Sequence, residues 1–456
     1  MKDRPISAPT RRDFLRWAAG GAASTTAFSA LSSGPLFAAA AQGGGGYKAL
    51  VVLYLAGGND SFNLIVPTDS SAYNEYATSR QNLAVPLNDL LDIAPATSDG
   101  HTYGLHPAVP ELRDLFDAGR LAISVNTGNL VRPVTRAEYQ ASSVALPPRL
   151  FSHNDQQAQS MRVRADDGGA IGWGGALADH QAYLNGVTSL SPSITVAGST
   201  PMLTGAATQA YHLGTSGSVS LGGFNGNTGA AIQATFDALR GQGHTNLYQR
   251  QFAQTRAEAI ELDGVISAAL GAQTTLQTEF PAESKVSPQL KMVAKMIQAQ
   301  ATLGMERQVF FVRMGGFDTH AGQLEDQPVL YADISASVAA FQAAMAELLM
   351  ENQVTLAVVS EFGRTLSSNG QGTDHGWGGH FLAVGGAVAG GDLYGTMPSF
   401  ALEGADDAGS GRMIPSQGTD QFAATLARWF GVPDIELAVM FPNLGNFATN
   451  HLGFMG

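Results

Sequence analysis

A chain of 456 residues can bury a large core, either as one big α/β domain or as two smaller ones. Its formal net charge of -13 argues against a nucleic-acid partner, and the lack of cysteine excludes disulfides, thiolate ligands and a cysteine nucleophile. Any metal must therefore be held by carboxylate, imidazole, hydroxyl or carbonyl groups.

The N-terminus reads as an address. Residues 10–16, TRRDFLR, carry an arginine pair, and the Ala/Gly/Ser-rich stretch Trp17 to Phe37 and the small-residue run Ala38–Ala41 follow. That charged, weakly apolar, small-residue order is the layout of a secretory signal, and the arginine pair resembles bacterial twin-arginine export signals. Residues 1–41 are thus expected to direct export to the periplasm or medium, with cleavage near Ala39–Ala41. Glycine and serine interrupt the stretch too often for a firm bilayer span, so no stable membrane span is expected after cleavage. The GGGG run at 43–46 is a flexible lead into the domain at 42–456.

Lys48 to Leu55 (KALVVLYL) predicts a central strand buried on both faces. Gly57 and Gly58 then permit a sharp turn that delivers Asp60 and Ser61, where a carboxylate can serve as a ligand or close an Asx turn. Residues 68–106 read as irregular surface structure. A helix begins at Pro107 or Pro110, with His106 as a capping residue, and Leu121 to Val125 is a second strand. Ser152 precedes the next predicted helix and takes the N-cap position, with Asp155 at the capping-box position. A hydroxyl there sees the helix dipole, which favours an anionic phosphoryl or sulfuryl group, and His153 beside it can contact substrate or metal.

Residues 164–226, rich in Gly, Ser and Thr, read as an insertion with one strand at Ser193–Val196. Helical periodicity follows over Thr228 to Leu270 and over Pro288 to Leu303. Gln308 to Met314 is a strand that ends in GGFDTH. Asp318 and His320, two residues apart, share one side of an extended segment and form an oxygen-plus-imidazole pair suited to zinc, manganese or iron. A helix over Gln327 to Glu351 leads to the buried strand Val354–Ser360. That strand delivers Glu361 and Arg364, then a glycine-rich loop with Asp374, His375 and His380. Phe381 to Val384 is a short strand and Ser416 to Phe430 the last helix. Open α/β sheets place chemistry where these residues fall, beyond the carboxyl ends of the strands.

The set GGND after strand one, SH before a helix, FDTH, SEFGRT and TDHGWGG resembles the domain-of-unknown-function 1501 family of twin-arginine-exported bacterial proteins, itself similar to the alkaline phosphatase/sulfatase-like superfamily. The resemblance implies a largely parallel central sheet flanked by helices, with one or two divalent ions at adjacent strand ends. By that resemblance Asp60 matches the aspartate after the first strand, Ser152 looks like a hydroxyl nucleophile, and Asp318 with His320 resembles a later Asp/His pair of wider spacing. The superfamily's strand-end Asp-His is replaced by Glu361–Phe362, and Asp374–His375 follows only after a loop.

The expected function is an exported metal-dependent hydrolase of phosphate or sulfate esters acting on a small anionic substrate. Its ligand pool is Asp60, Asp318, His320, Glu361, Asp374 and His375, holding one or two ions of zinc, manganese, iron or calcium. Ser152, or alternatively Ser61, attacks. Arg364 and His380 stabilise the developing charge, and His153 protonates the leaving group or contacts the substrate. The alternative is a non-catalytic, metal-containing binding or assembly protein on the same fold.

Overall fold

The computed structural model describes residues 46–162, 169–186, 188, 190–218, 226–240 and 246–456. The expected export signal at 1–41 lies outside the described residues, as do parts of the 164–226 stretch. In chain order the first elements are β1 (Lys48–Ala56), β2 (Ile65–Pro67), α1 (Ser70–Arg80), β3 (Leu91–Ile93), β4 (Tyr103–Leu105), α2 (Pro110–Asp117) and β5 (Leu121–Gly128). Next come α3 (Arg136–Ala141), α4 (His153–Met161), α5 (Trp173–Gln181), β6 (Ser193–Thr195), β7 (Tyr211–Gly214), β8 (Gly217–Ser218), α6 (Gly226–Arg240), α7 (Leu247–Gly271) and α8 (Ser287–Gln298). The remainder is β9 (Arg307–Gly315), α9 (Gln323–Glu347), β10 (Val354–Ser360), β11 (Arg364–Ser368), β12 (Thr373–His375), β13 (Gly379–Gly385), β14 (Asp392–Tyr394), β15 (Gln417–Gly418), α10 (Thr419–Phe430) and α11 (Asp434–Met440).

β1 is buried at eight of its nine residues because it lies in the middle of a ten-stranded sheet. The order is β14-β5-β13-β10-β1-β9-β6-β7-β8, with β15 also beside β5. Its centre, β10-β1-β9-β6-β7, is parallel, and β13 runs antiparallel between β10 and β5. Side chains alternate between two cores. Ala49, Val51, Leu53 and Leu55 face α2, α8 and α9 through residues such as Phe116, Val293 and Phe341. Leu50, Val52, Tyr54 and Ala56 face α5 and α10 through Leu177, Phe422 and Phe430. Each fully buried Val, Leu or Phe contributes about 1.5–3 kcal/mol, so these two layers fix the strand register with which the site is built. α9 is the one described helix long and apolar enough to cross a membrane, and it packs on the sheet through Leu330, Ile334, Val338 and Phe341.

Three expectations change. The 68–106 segment is ordered: it holds α1 and a small antiparallel sheet, β2-β4-β3. α1 buries Tyr76, Ser79 and Arg80, so polar groups stand where an apolar stripe would signal a helix. The described part of 164–226 joins the main sheet as β6 and β7, with α5 beside them, so it is built into the frame. The helical run from Thr228 to Leu270 forms two helices, α6 and α7.

His106 and His380 lie inside this frame, and burial pushes their imidazoles down to about 4 and about 3. His106 accepts from the Ala108 N–H, as a cap of the turn before α2. His380 Nδ1 accepts from the Asn126 N–H. As pH falls below 6.5, the ordinary histidine value, the unfolded chain takes up protons that the folded chain refuses, so stability decreases. At pH 5 each imidazole should cost about 2 kcal/mol relative to pH 7. Denaturant melts at the two pH values should show this loss, and His380→Gln should lose less. Equal stability at pH 7 and pH 5 would contradict it.

Candidate functional site

The parallel register brings three turns abreast. Leu55 pairs with Ser360 and Ala56 with Gly315, so the chain leaves β1, β10 and β9 at one level. Gly57 has φ +119°, and a Cβ there would lie 2.3 Å from the Asp318 nitrogen. The loop after β9 therefore rests on bare backbone after β1, which only glycine allows. Two tight turns, Thr319 N–H to Phe317 O (2.9 Å) and His320 N–H to Asp318 O (3.0 Å), follow. They replace the expected extended segment, yet still place His320 Nε2 3.1 Å from Asp318 Oδ1.

Two further imidazoles converge on Asp318. His153, the first residue of α4, places Nε2 3.4 Å from Asp318 Oδ2. His375, at the end of the β11–β12 hairpin, places Nε2 3.3 Å from Asp318 Oδ1. One ligand atom from each of His153, Asp318 and His375 lies within 4.8 Å of the others. The other ring nitrogens are committed. His153 Nδ1 faces Glu361 Oε1 at 2.6 Å, and His375 Nδ1 donates to the Phe151 carbonyl at 2.7 Å. A carbonyl or carboxylate only accepts, so both Nδ1 atoms carry the hydrogen and both Nε2 atoms are turned inward, the orientation of metal-ligating histidine. Phe151 adopts φ +72°, a costly conformation for a bulky residue, which aims that carbonyl at His375.

His320 repeats the pattern one step out. Its Nδ1 is 3.1 Å from Asp374 Oδ1 and its Nε2 3.0 Å from His375 Nε2. At that separation either one Nε2 carries a hydrogen directed at the other or a cation lies between them. His153, Asp318 and His375 thus fit a divalent cation, with His320 as a neighbour on the open side. The Asp318 and His320 side chains are 46% and 45% exposed, so a ligand can approach from solvent. Burial alone would raise the Asp318 carboxyl. The Arg364 hydrogen bond and charge, with His320 and His153, outweigh it and hold Asp318 below the usual carboxylate range. Burial lowers His375, helped by the charges of His153 and Arg364, which keeps its lone pair available.

Other predicted residues lie elsewhere. Asp60 is buried and engages Arg80 and Gln323, which sets it apart from the His153/Asp318/His375 group. Glu361 and Asp374 stand behind His153 and His320 as orienting carboxylates. Arg364 is fully buried and spends its donors on Thr373 Oγ1, the Thr373 carbonyl, the Gly57 carbonyl and Asp318 Oδ1. It therefore positions Asp318, and the expectation that it faces a substrate is corrected. His380 is corrected likewise: it is buried among Phe62, Asn126 and Ser61, away from solvent. Ser61 Oγ is buried and accepts from the His380 N–H. Ser152 takes the N-cap position of α4, but its hydroxyl donates to Asp155 Oδ2 at 2.7 Å and leaves the first helical N–H groups without a side-chain cap.

Sequence reasoning missed the support behind the site. Arg80 is fully buried and also donates to the carbonyls of Thr365 and Leu366. Gln323 donates to Asp60 and accepts from Thr373 Oγ1, which in turn accepts from Arg364 Nε. A continuous hydrogen-bonded path thus joins Arg80 to Asp318. Neither Arg80 nor Gln323 belongs to a motif, and only a buried arginine opposite the strand-one aspartate could have signalled the arrangement.

Among the curated proteins none matches the sequence. Solved structures similar to the chain include the sulfatase PsFucS1 from Pseudoalteromonas sp., at 10% identity and TM-score 0.34, covering 87% of this chain and 70% of that one. Another is the lipoteichoic acid synthase LtaP from Listeria monocytogenes, at 8% identity and TM-score 0.31, covering 85% and 72%. A third is BT1596, a 2-O GAG sulfatase, at 10% identity and TM-score 0.31, covering 87% and 74%. Residues 47–415 match the sequence profile of DUF1501, and the chain belongs to that family of proteins of unknown function.

Proposed function

We propose that this protein is a metal-dependent hydrolase of phosphate or sulfate esters. The observation that carries the reading is the convergence of His153 Nε2, the Asp318 carboxylate and His375 Nε2 at the carboxyl edge of a parallel sheet. Two imidazoles and one carboxylate with an open side suit a catalytic divalent ion. Such an ion would supply Lewis-acid stabilisation of charge on a phosphoryl or sulfuryl oxygen. The uncapped N-terminus of α4, whose first residue is His153, adds donors and a positive dipole end for a tetrahedral anion.

Within this reading Ser152 is the nucleophile. Its hydroxyl already donates to Asp155, which receives the proton when the oxygen attacks. His320, oriented by Asp374 and open to solvent, hands a proton to the departing alkoxide. Arg364 holds Asp318 in place.

Metal analysis of the exported protein, followed by a panel of aryl phosphate and sulfate esters, tests the proposal. Wild type should carry stoichiometric zinc, manganese or iron and turn over one ester class. An Asp318→Ala/His375→Ala variant should lose both metal and turnover. Ser152→Ala should keep the metal and lose about 10³-fold or more in kcat. A folded wild type with no stoichiometric metal would end the hydrolase reading.

We also propose that residues 1–41 direct export through the twin-arginine route, on the strength of the Arg11–Arg12 pair and the Ala-rich stretch behind it. Replacing both arginines with lysine should leave the unprocessed chain in the cytoplasm on cell fractionation. Unchanged processing and export would refute that assignment.

A further inference from the structure

We infer that this centre takes one transition-metal ion and no second, because the chain supplies the other positive charges itself through Arg80 and Arg364. The inference rests on the metal-hydrolase reading and deepens it.

A two-metal site needs carboxylates free to serve a pair of ions about 3.5–4 Å apart. Each carboxylate near this edge already has a cationic or N–H partner. Asp60, on the strand-one turn, is 1% exposed at its side chain and paired with an arginine that is 0% exposed. Arginine does not lose its proton in proteins, so an ion beside Asp60 would face a buried guanidinium with no solvent to screen it. Gln323 Nε2 donates to the same Asp60 oxygen, Oδ2. The other oxygen, Oδ1, is buried without a hydrogen-bond partner among the described residues, but it belongs to the same arginine-paired carboxylate.

Glu361 is 2% exposed and takes the His153 ring hydrogen and the Gln157 side-chain amide. Asp374 faces His320 and Asn369. Asp318 gives Oδ1 to Arg364 and turns Oδ2 toward His153. Within the group whose ligand atoms lie within 4.8 Å of one another, what remains open is one Asp318 oxygen with the Nε2 atoms of His153 and His375, enough for a single ion. The set is also nitrogen-rich. Calcium takes six to eight oxygen ligands, whereas zinc, iron and manganese accept imidazole, so the centre should reject calcium.

The test uses the full mature chain, stripped with chelator and reloaded separately with zinc, cobalt(II) and calcium. Bound ions are counted by elemental analysis, and cobalt is also followed by its visible spectrum. One equivalent of zinc or cobalt, undisturbed by a hundredfold excess of calcium, is the expected result. Asp60→Asn should keep that equivalent with an affinity within about threefold. Glu361→Gln, which loosens the ring behind the ion, should weaken binding on the order of 10–100-fold. Two equivalents in wild type, or displacement by calcium, overturns the inference while leaving a metal hydrolase intact. The wild-type count decides this even where Asp60→Asn fails to fold. A folded chain that binds no zinc or cobalt removes the hydrolase reading and this inference together.

Discussion

The Arg364 guanidinium is the tie on which the site's geometry depends. It reaches the carbonyl of Gly57 after β1, Asp318 after β9 and the hydroxyl and carbonyl of Thr373 in β12. Three segments distant in sequence are pinned by one rigid planar fork. Arginine suits the task because its donors point in fixed directions and its charge is permanent. A lysine carries its three donors on a single nitrogen and could not span acceptors spread this widely, so some would be left buried without a partner.

Behind this tie lies a second cation, Arg80, reached through Thr373, Gln323 and Asp60. Burying two guanidinium groups is costly unless acceptors surround them, and here carbonyls of Thr365, Leu366 and Gly57 join the carboxylates, leaving Arg80 Nε without a partner among the described residues. The polar network sits where β1, β9 and β10 end, and the two apolar layers continue on either side of it. Chemistry at the edge therefore rests on a frame held by side chains that never contact solvent.

The frame was largely legible because buried parallel strands announce themselves. β1 and β10 are apolar runs without alternation, since both faces are covered, and the run Val354–Ser360 coincides with β10. The residues of the candidate site were legible as types at strand ends, and Asp318, His375 and His153 do meet there. Their roles were less so. A sequence does not show that Glu361 turns its carboxylate to a histidine ring, that Arg364 faces inward, or that Asp60 is matched by Arg80 from a segment read as irregular. Those facts depend on tertiary distance between residues up to 208 positions apart, as with His153 and Glu361. α1 was hidden for a related reason: its inward residues are polar, so its pattern resembles a surface loop.

The reversed direction of β13 has its own consequence. β10 carries the chain to the site edge, and β13, paired to it in antiparallel register, carries the chain back from that edge. Residues 361–378 are thus an excursion that departs and returns between neighbouring strands, about 5 Å apart, without passing through either helical layer. Its exposed tip, residues 369–371, can be lengthened at a free-energy cost that grows only slowly with length, whereas Arg364 ties its base to the ends of β1 and β9. The tip can in this sense vary by inheritance on its own, while the tied base of the segment and the sheet beneath it must change together or not at all.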